Sequence, residues 1–396
     1  MADLPLEARP ARAAFYNDPK VRSIAYQVAL CAAVAFLVYG AVNNAVDNLR
    51  RARIASGFGF WDNTAGFDIS QTLIEYSSQA STYGRAFWVG LLNTLLVAVL
   101  GIIFATILGF IVGIARLSKN WLLNRFAAAY VETIRNLPLL LQLLFWYNAV
   151  LKALPDIRDS YVIAGGGYLN NRGLFLPQPI TKAGFVMVVV ALVAGIASAI
   201  GYRYWARKRQ LLTGQQAPVV LVSLGLIVVL PLIVFALAGF PLEFVYPDKG
   251  RFNIRGGLEI LPEFAALLVG LVIYTAAFIA EVVRAGILAV SHGQTEAAYS
   301  LGLRPRPALR LIVVPQAMRV IIPPLTSQYL NLTKNSSLAV AIGYPDLVQV
   351  FTGTVLNQTG QAVEVVAITM AVYLTISLTT SVAMNIYNSR IALVER

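Results

Sequence analysis

The sequence predicts an all-α integral membrane protein with about eight transmembrane helices. Of its 396 residues, 58% are hydrophobic and only 13% are charged, and the mean hydropathy is +0.69. A soluble domain usually carries about 25% charged residues, so a chain this apolar cannot shield its surface from water. Several apolar runs also reach the roughly 20 helical residues that are needed to cross a bilayer.

The apolar runs give eight predicted spans in chain order. They cover approximately residues 24–42, 88–115, 126–151, 184–202, 219–239, 264–290, a seventh span from 320 onward, and 362–386. The first run lacks a convincing small-residue cleavage site at its end, so we expect an uncleaved span and not a signal peptide. The second span carries a small residue at every fourth position, which predicts close packing against another helix. These residues are Gly101, Ala105, Gly109 and Gly113.

The third predicted span contains several polar residues and a proline. Glu132 and Arg135 lie one helical turn apart and are able to pair, and Pro138 is expected to kink or interrupt the helix. Asn136 and Gln142 would be unfavourable in lipid, so we expect them to face other helices or a cavity. For Gln142, structural hydrogen bonding and substrate contact are equally good interpretations.

The sixth and seventh spans carry the remaining polar groups of interest. Glu281 and Arg284 lie a turn apart near the inner end of the sixth span, where a structural role is expected. The seventh span includes Pro323 and Pro324 and leads into 331–337, the most polar stretch of an otherwise apolar region. A break at 343–346 and a short amphipathic helix over about 346–356 are expected next.

A polar, Arg-bearing loop at 291–319 separates these two spans. Glu296, Ala297 and Ala298 favour a helix, and Gly302 offers the permissive backbone that ends one. Pro305 and Pro307 are expected to prevent immediate resumption, with a second short helix from about Ala308 towards Pro315. The loop carries Arg304, Arg306, Arg310 and Arg319. A helix–turn–helix just outside the membrane suits docking; the alternative is a solvated loop whose small residues serve packing.

Basic residues orient the chain in the membrane. The side that carries the 291–319 loop has 18 Lys and Arg residues, whereas the opposite side has 11. Cytoplasmic loops carry the excess of positive charge, so this loop and both termini are predicted to be cytoplasmic. Arg50, Arg51 and Arg53 lie in a long opposite loop, where this rule is weaker. The net charge of +12 is better explained by this topology than by nucleic-acid binding.

Residue types exclude several kinds of chemistry. Cys31 and His292 are the only residues of their kinds, so neither an internal disulfide nor a metal site of several histidines is possible. None of the seven lysines follows a glycine, so the phosphate-binding loop of ATPases is absent from this sequence. No catalytic constellation is visible. We therefore predict a non-enzyme without a metal or a cofactor of its own.

The 291–319 loop resembles the cytoplasmic coupling motif of ABC-importer permeases. That motif reads Glu-Ala-Ala, three residues, Gly, nine residues, then Ile-x-Leu-Pro, and only Val314 departs from it here. The resemblance implies a type I importer permease core whose coupling helix contacts a separate ATPase, which would bind ATP and Mg²⁺. The candidate ATPase-coupling residues are motif positions and one arginine within the nine-residue spacer: Glu296, Ala297, Ala298, Gly302, Arg304 and Pro315.

Three further stretches resemble polar amino acid ABC permeases: 130–142, 280–286 and 334–343. The resemblance covers the five-span core of that family, about 88–150 and 264–390. Residues 1–87 and the extra spans at about 184–239 resemble the larger permeases of general L-amino acid and acidic or amide amino acid importers. The resemblance implies a permease heterodimer, two ATPase subunits, a periplasmic binding protein and a Gram-negative inner membrane.

The expected organisation has four parts. These are 1–87 with the first span and a periplasmic loop, 88–151 with core spans two and three, 152–262 with periplasmic loops and inserted spans four and five, and 263–396 with core spans six to eight. The resemblance places substrate contacts near mid-membrane. The candidate substrate-path residues are Gln142, Asn331, Lys334, Asn335, Ser336 and Glu364. Lys334 could meet a substrate carboxylate, or it could pair with a neighbouring helix.

Two other classes of protein are possible from the residues alone. An ion-coupled secondary amino acid transporter would need no ATPase, and it should show internal repeats and ion sites in the middle of its spans. A non-transport membrane scaffold would leave the polar stretch at 331–337 unexplained. Neither class explains the 291–319 loop, so an ATP-driven amino acid importer permease is the preferred interpretation.

Overall fold

The computed structural model describes residues 19–51, 57–250 and 253–391. The predicted N-terminal cytoplasmic segment lies largely outside these residues, as do Arg53 and the last five residues. Within the described residues, seven helices are long and apolar enough to cross a membrane, which confirms a multi-pass, mostly helical protein. These are Val21–Asn44, Tyr83–Ala115, Phe185–Thr213, Val219–Leu237, Pro262–Leu288, Pro305–Ile342 and Ala362–Ser389.

The individual α-helices are numbered in chain order. They are α1 (Pro19–Arg51), α2 (Tyr83–Ala115), α3 (Trp121–Asn136), α4 (Leu139–Leu144), α5 (Phe185–Thr213), α6 (Val219–Leu224), α7 (Leu230–Leu237), α8 (Pro262–Leu288), α9 (His292–Ser300), α10 (Pro305–Ala308), α11 (Val314–Asn335), α12 (Leu356–Thr359) and α13 (Ala362–Ile391). Wider π-helical turns occupy Phe145–Leu151, Gly225–Val229, Leu309–Val313 and Val348–Val355, and Ser336–Ile342 is a 3₁₀ helix. The helix predicted over about 346–356 is therefore present and continues through α12.

The predicted third span is two helices and not one. α3 ends at Asn136, Pro138 precedes α4, and the apolar helix from Leu139 to Leu151 is too short to count among the seven spans. Pro138 interrupts the helix as predicted, because proline offers no N–H and disfavours a helical residue before it. Glu132 and Arg135 are able to pair by their spacing but form no ion pair in the described part of the chain. The Arg135 guanidinium lies 5.1 Å from the centre of the Phe278 ring on α8.

The loops opposite 291–319 contain short strands that the sequence analysis does not predict. Eight short strands are present in the described part of these loops: β1 (Tyr161–Ile163), β2 (Gly167–Asn170), β3 (Gly173–Leu176), β4 (Gln178–Thr181), β5 (Leu242–Val245), β6 (Asp248–Lys249), β7 (Ile254–Arg255) and β8 (Leu258–Ile260). All pairs are antiparallel, and the sheets have the orders β1-β2-β3-β8, β4-β5 and β6-β7. Strands this short carry too few alternating residues for a sequence pattern to reveal them.

Close packing of α2 against α8 forms the centre of the fold. A Cβ atom at Gly109 would lie 2.5 Å from Ile279 Cγ2, and one at Gly113 would lie 2.8 Å from the Ala280 carbonyl oxygen. Only glycine permits this approach, which confirms the predicted small-residue ridge. Gly101 faces Leu332 of α11, and α11 also packs on α8.

The inserted helices form a hairpin of their own. α5 packs on α6, α7 and the turn between them, and a Cβ at Gly195 would lie 2.1 Å from the Leu226 carbonyl oxygen. Strands β4 and β5 join the two arms at one end, where Lys182 and Glu243 form an ion pair of 2.9 Å.

Candidate functional site: the coupling loop and the core around Lys334

The first helix of the 291–319 loop, α9, ends in a glycine-dependent turn. Gly302 adopts φ +76°, and its N–H donates to the Tyr299 carbonyl at 2.9 Å. The Leu303 N–H donates to the Ala298 carbonyl at 3.1 Å. This pair of bonds is the Schellman arrangement, which satisfies the last carbonyls of a helix through one left-handed residue. The predicted helix end at Gly302 is therefore confirmed.

The second helix of the loop starts earlier than predicted. α10 begins at Pro305, directly after Arg304, and continues through the π-helical turn into α11. The prediction that Pro305 and Pro307 prevent immediate resumption is wrong. The first N–H groups of a helix have no intrahelical partner, so prolines in its first turn remove nothing. The helix of α11 likewise runs through Pro323 and Pro324.

An exposed apolar rim surrounds the end of α9. The Ala298 side chain is buried, whereas Leu301 is 81% and Leu311 64% exposed. These two leucines line a shallow groove together with Ala297 and Pro315. We call Ala297, Leu301, Leu311 and Pro315 the coupling groove. Arg319 also lines this groove, so the two exposed leucines form a small apolar surface with a basic neighbour, which can serve for docking.

Polar contacts hold α9 in place. Gln316 Nε2 on α11 donates to Gln294 Oε1 on α9 at 3.1 Å, which fixes the two helices relative to each other. His292 Nδ1 lies 3.0 Å from Glu296 Oε1, and both side chains are exposed. His292 is thus a solvent-facing residue of the loop. The Glu296 carboxylate is exposed on α9 and is therefore accessible to a partner.

A three-residue ion cluster joins the C-terminal ends of α2 and α8. Glu281 accepts from Arg284 Nη2 at 2.5 Å and from Arg284 Nε at 3.2 Å, and it also pairs with Arg116 at the end of α2. The structural role expected for Glu281 and Arg284 fits this arrangement. Arg116 was not predicted as a member, because the residue lies 165 positions away in sequence.

Replacement of Glu281 is expected to destabilise this end of the bundle. Glu281→Gln would leave the Arg116 and Arg284 guanidinium groups together without a carboxylate. Loss of one partner from a partly buried ion cluster costs about 1–3 kcal/mol. We expect a thermal unfolding midpoint several degrees lower, measured by tryptophan fluorescence of the detergent-purified protein. Glu296→Gln, at an exposed carboxylate, is the control, and equal midpoints for the two variants would contradict the cluster's role.

Gln142 has a structural position at the helix break. Its Nε2 donates to the carbonyls of Ile134 and Leu137, each at 3.0 Å, and the side chain is buried. The amide therefore satisfies the free end of α3, where Pro138 stops the backbone ladder. Gln142 Oε1 is buried without a partner among the described residues. Asn136, by contrast, is exposed and donates to the Glu132 carbonyl.

Among the six candidate substrate-path residues, Lys334 lines a groove. This groove of about 470 Å³ lies between α11 and α13, and Ser337, Thr369 and Tyr373 also line it. The Lys334 side chain has no acidic partner among the described residues. We call this space the Lys334 groove.

The other candidates lie elsewhere. Asn331 is exposed, and Asn335 is half-buried. Ser336 is buried and donates to the Thr333 carbonyl at 2.7 Å. Glu364, at the start of α13, accepts the Gly57 N–H at the far-side loop. Asn331 and Asn335 flank Lys334 on α11, whereas Glu364 lies at the start of α13 and Gln142 in α4. Their role in a substrate path stays a prediction.

A buried polar network behind the groove was missed at the sequence level. Asp346 is fully buried; its carboxylate accepts the Gln349 N–H at 2.8 Å and the Tyr373 hydroxyl at 3.2 Å. Asn93 Nδ2 donates to the Pro345 carbonyl at 2.9 Å, so α2 also belongs to the network. Asp346 is the last residue of the predicted break at 343–346, and a polar residue at that point is typical of a helix cap.

Comparison with known proteins identifies the family. The family model described as "Binding-protein-dependent transport system inner membrane component" matches residues 213–393. The general L-amino acid transport system permease protein AapQ of Rhizobium johnstonii is 54% identical, over 97% of this chain and 96% of AapQ. The putative amino-acid ABC transporter permease protein YhdX of Escherichia coli is 52% identical, over 96% of this chain and 97% of YhdX.

A third relative has a narrower description. The glutamate/glutamine/aspartate/asparagine transport system permease protein BztB of Rhodobacter capsulatus is 43% identical, over 96% of both chains. These relatives are ABC permeases, so the ion-coupled secondary transporter is not supported. The resemblance based on the coupling loop and the three core stretches is confirmed. The chain therefore belongs to the amino-acid ABC transporter permeases, a multi-pass family of binding-protein-dependent inner membrane components.

Proposed function

We propose that this chain is one of two permease subunits of an ATP-driven importer for polar L-amino acids. The substrate class is acidic, amide or broad-range L-amino acids, in line with the printed descriptions of AapQ and BztB. The second permease subunit is a homologous chain, so that the pair forms a heterodimer. A periplasmic binding protein delivers the amino acid from the side opposite the 291–319 loop.

The coupling loop is the observation that carries this proposal. α9 ends at a left-handed glycine, and the coupling groove beside it exposes Leu301 and Leu311 and is also lined by Arg319. A partner seated there would move α9, and α9 would move α11 through the Gln294–Gln316 hydrogen bond. Energy transfer of this kind is mechanical and needs a packed interface with two discrete arrangements.

Separate subunits supply the ATPase in this proposal. The sequence has no glycine-preceded lysine with which to build a phosphate-binding loop. Two ATPase copies, one below each permease subunit, would bind ATP and Mg²⁺. The excess of basic residues on the side of the 291–319 loop supports a cytoplasmic location for this loop and for both termini.

Lys334 is the proposed contact for the substrate carboxylate. It is a cation without an acidic partner in the described residues, and it lines a groove whose other polar groups are hydroxyls. A hydrogen bond to a charged group is worth about 1.5–3 kcal/mol, so Lys334→Gln should lower uptake at saturating binding protein roughly tenfold or more. Lys334→Arg keeps the charge and should retain most of the rate.

The test is uptake of radiolabelled amino acids by proteoliposomes that contain the complete importer. A panel of glutamate, aspartate, glutamine, asparagine and a neutral aliphatic amino acid measures the substrate range. Lys119→Gln is the control, since it removes an exposed lysine on the side of the coupling loop. Unchanged uptake in Lys334→Gln would remove Lys334 from the substrate path, and a lack of uptake for every amino acid would overturn the proposed substrate class.

A further inference from the structure

A cluster of cations without counter-charges lies at one end of the inserted hairpin. Arg203, Arg207, Lys208 and Arg209 fall within seven residues of α5. The sequence has no acidic residue from 183 to 242, which covers the whole hairpin. The side chains of all four cations are exposed. Among the described residues, none of the four has an acidic partner.

The strands at the other end of the hairpin determine the side of the membrane. β4 leads into α5 and pairs with β5, which follows α7. In the same group of loops, β8 pairs with β3 and leads directly into α8, whose opposite end reaches the coupling loop. α5 and α8 therefore start on the same side of the membrane. The cations of α5 and the coupling loop consequently share the opposite side.

The length of α5 places its cations at the depth of the lipid headgroups. The helix has 29 residues and a length of about 44 Å at 1.5 Å per residue. A hydrocarbon core of about 30 Å accommodates roughly 20 of these residues, so α5 leaves the core near Tyr204. The segment from Arg203 to Arg209 then lies in the layer where lipid phosphates are found.

Aromatic rings accompany the cations. The Arg209 guanidinium lies 5.3 Å from the centre of the Trp205 ring, and the Tyr202 and Trp205 rings are 5.5 Å apart. Tryptophan and tyrosine favour the membrane–water interface. Successive helical residues point about 100° apart, so the four cations occupy several sides of α5. We call the four cations and Trp205 the basic collar.

The side of α5 that contacts protein is different. Its buried residues are Ala191, Gly195, Ala199 and Ala206, which recur at intervals of four or seven positions along one face. This face packs on the second arm of the hairpin. The basic collar consequently projects from the hairpin into the lipid layer.

We propose that the basic collar binds the phosphate groups of anionic phospholipids in the leaflet on the side of the coupling loop. Basic residues near an anionic membrane surface attract its lipids, and arginine binds phosphate through two parallel N–H donors. The collar lacks internal acids that would compete for the cations. The site would hold the hairpin, which is attached to the core through its strands, at a fixed depth. This inference does not depend on the amino acid that is transported.

The test uses the full chain in lipid nanodiscs, with Trp205 as the reporter. Two kinds of phosphatidylcholine nanodisc are compared. One contains a small fraction of phosphatidylglycerol with brominated acyl chains, and the other contains the same fraction of phosphatidylcholine with brominated acyl chains. The bromine atoms quench the fluorescence of nearby tryptophan. The Trp205 signal is the difference between the wild type and Trp205→Phe. We expect brominated phosphatidylglycerol to quench this signal at least about twofold more strongly, because anionic lipid is enriched at the collar.

Matched variants separate local binding from overall charge. Arg207→Gln/Lys208→Gln should reduce the preference, whereas Lys119→Gln/Arg125→Gln, two exposed cations on the same side but on another segment, should preserve it. The variant with all four collar cations changed to Gln should lose it. Equal quenching by both lipids in the wild type would overturn the proposal, as would a preference that survives all four changes. Absence of quenching by either lipid would also overturn it, since a protein would then cover the collar.

Discussion

Gly302→Asp is expected to abolish amino acid uptake, by roughly 100-fold or more, while the protein inserts and folds normally. No atom lies within 4 Å of the position where a Cβ would stand, so the side chain fits without a clash. Gly302 has φ +76°, and a left-handed residue other than glycine costs about 1–2 kcal/mol, less for Asp and Asn. The large effect therefore comes from the new carboxylate, which would stand beside the exposed Leu301 in the proposed docking surface.

Two variants isolate this effect. Gly302→Asn imposes the same backbone conformation without the charge and should retain measurable uptake. Gly214→Asp places a carboxylate at another left-handed helix end, φ +70° with no neighbour within 4 Å, on the same side of the membrane. It should transport normally. The measurement is uptake by vesicles with matched amounts of permease, and full activity of Gly302→Asp would contradict the role assigned to the coupling loop.

Gly113→Val is expected to produce the largest loss of folded protein. A Cβ at this position would lie 2.8 Å from the Ala280 carbonyl oxygen and 2.8 Å from Val283 Cβ. A backbone carbonyl in the middle of α8 cannot move aside as a flexible side chain can, so α2 and α8 would have to separate. Overpacking of this kind costs about 3 kcal/mol, and more where backbone is involved.

Gly201→Val is the matched control for this packing. Gly201 also lies within a long helix, but no atom lies within 4 Å of its would-be Cβ. The monodisperse fraction after detergent extraction and the thermal unfolding midpoint should fall for Gly113→Val and remain near wild type for Gly201→Val. Similar results for the two variants would indicate that the contact between α2 and α8 does not limit stability.

Features set by local chemistry could be predicted from the sequence. Gly302 ends α9, Pro138 interrupts the predicted third span, and the small residues of α2 pack closely on α8. Each depends on the backbone or size of one residue type, which a sequence displays directly. The spans are predictable for the same reason, since length and apolarity define them.

Features set by distant contacts could not be predicted. Arg116 joins Glu281 across 165 positions, and the Tyr373 hydroxyl meets the buried Asp346 only because α13 packs beside the turn at 343–346. For Gln142 the sequence leaves structural hydrogen bonding and substrate contact as equal interpretations, because its position depends on the carbonyls that the break of α3 leaves free. The start of α10 at Pro305 has a local cause and not a distant one. Proline is tolerated in the first turn of a helix, whereas the sequence analysis takes it as a helix breaker.

The most direct test of the central claim is uptake by proteoliposomes with and without the ATPase subunits. The same permease pair and binding protein are reconstituted with ATP and Mg²⁺ on the coupling-loop side, and uptake of a labelled substrate amino acid is followed over time. We predict accumulation only when both ATPase and ATP are present, with none after omission of either. Accumulation driven by an ion gradient in vesicles that lack the ATPase would contradict ATP-coupled import through this chain.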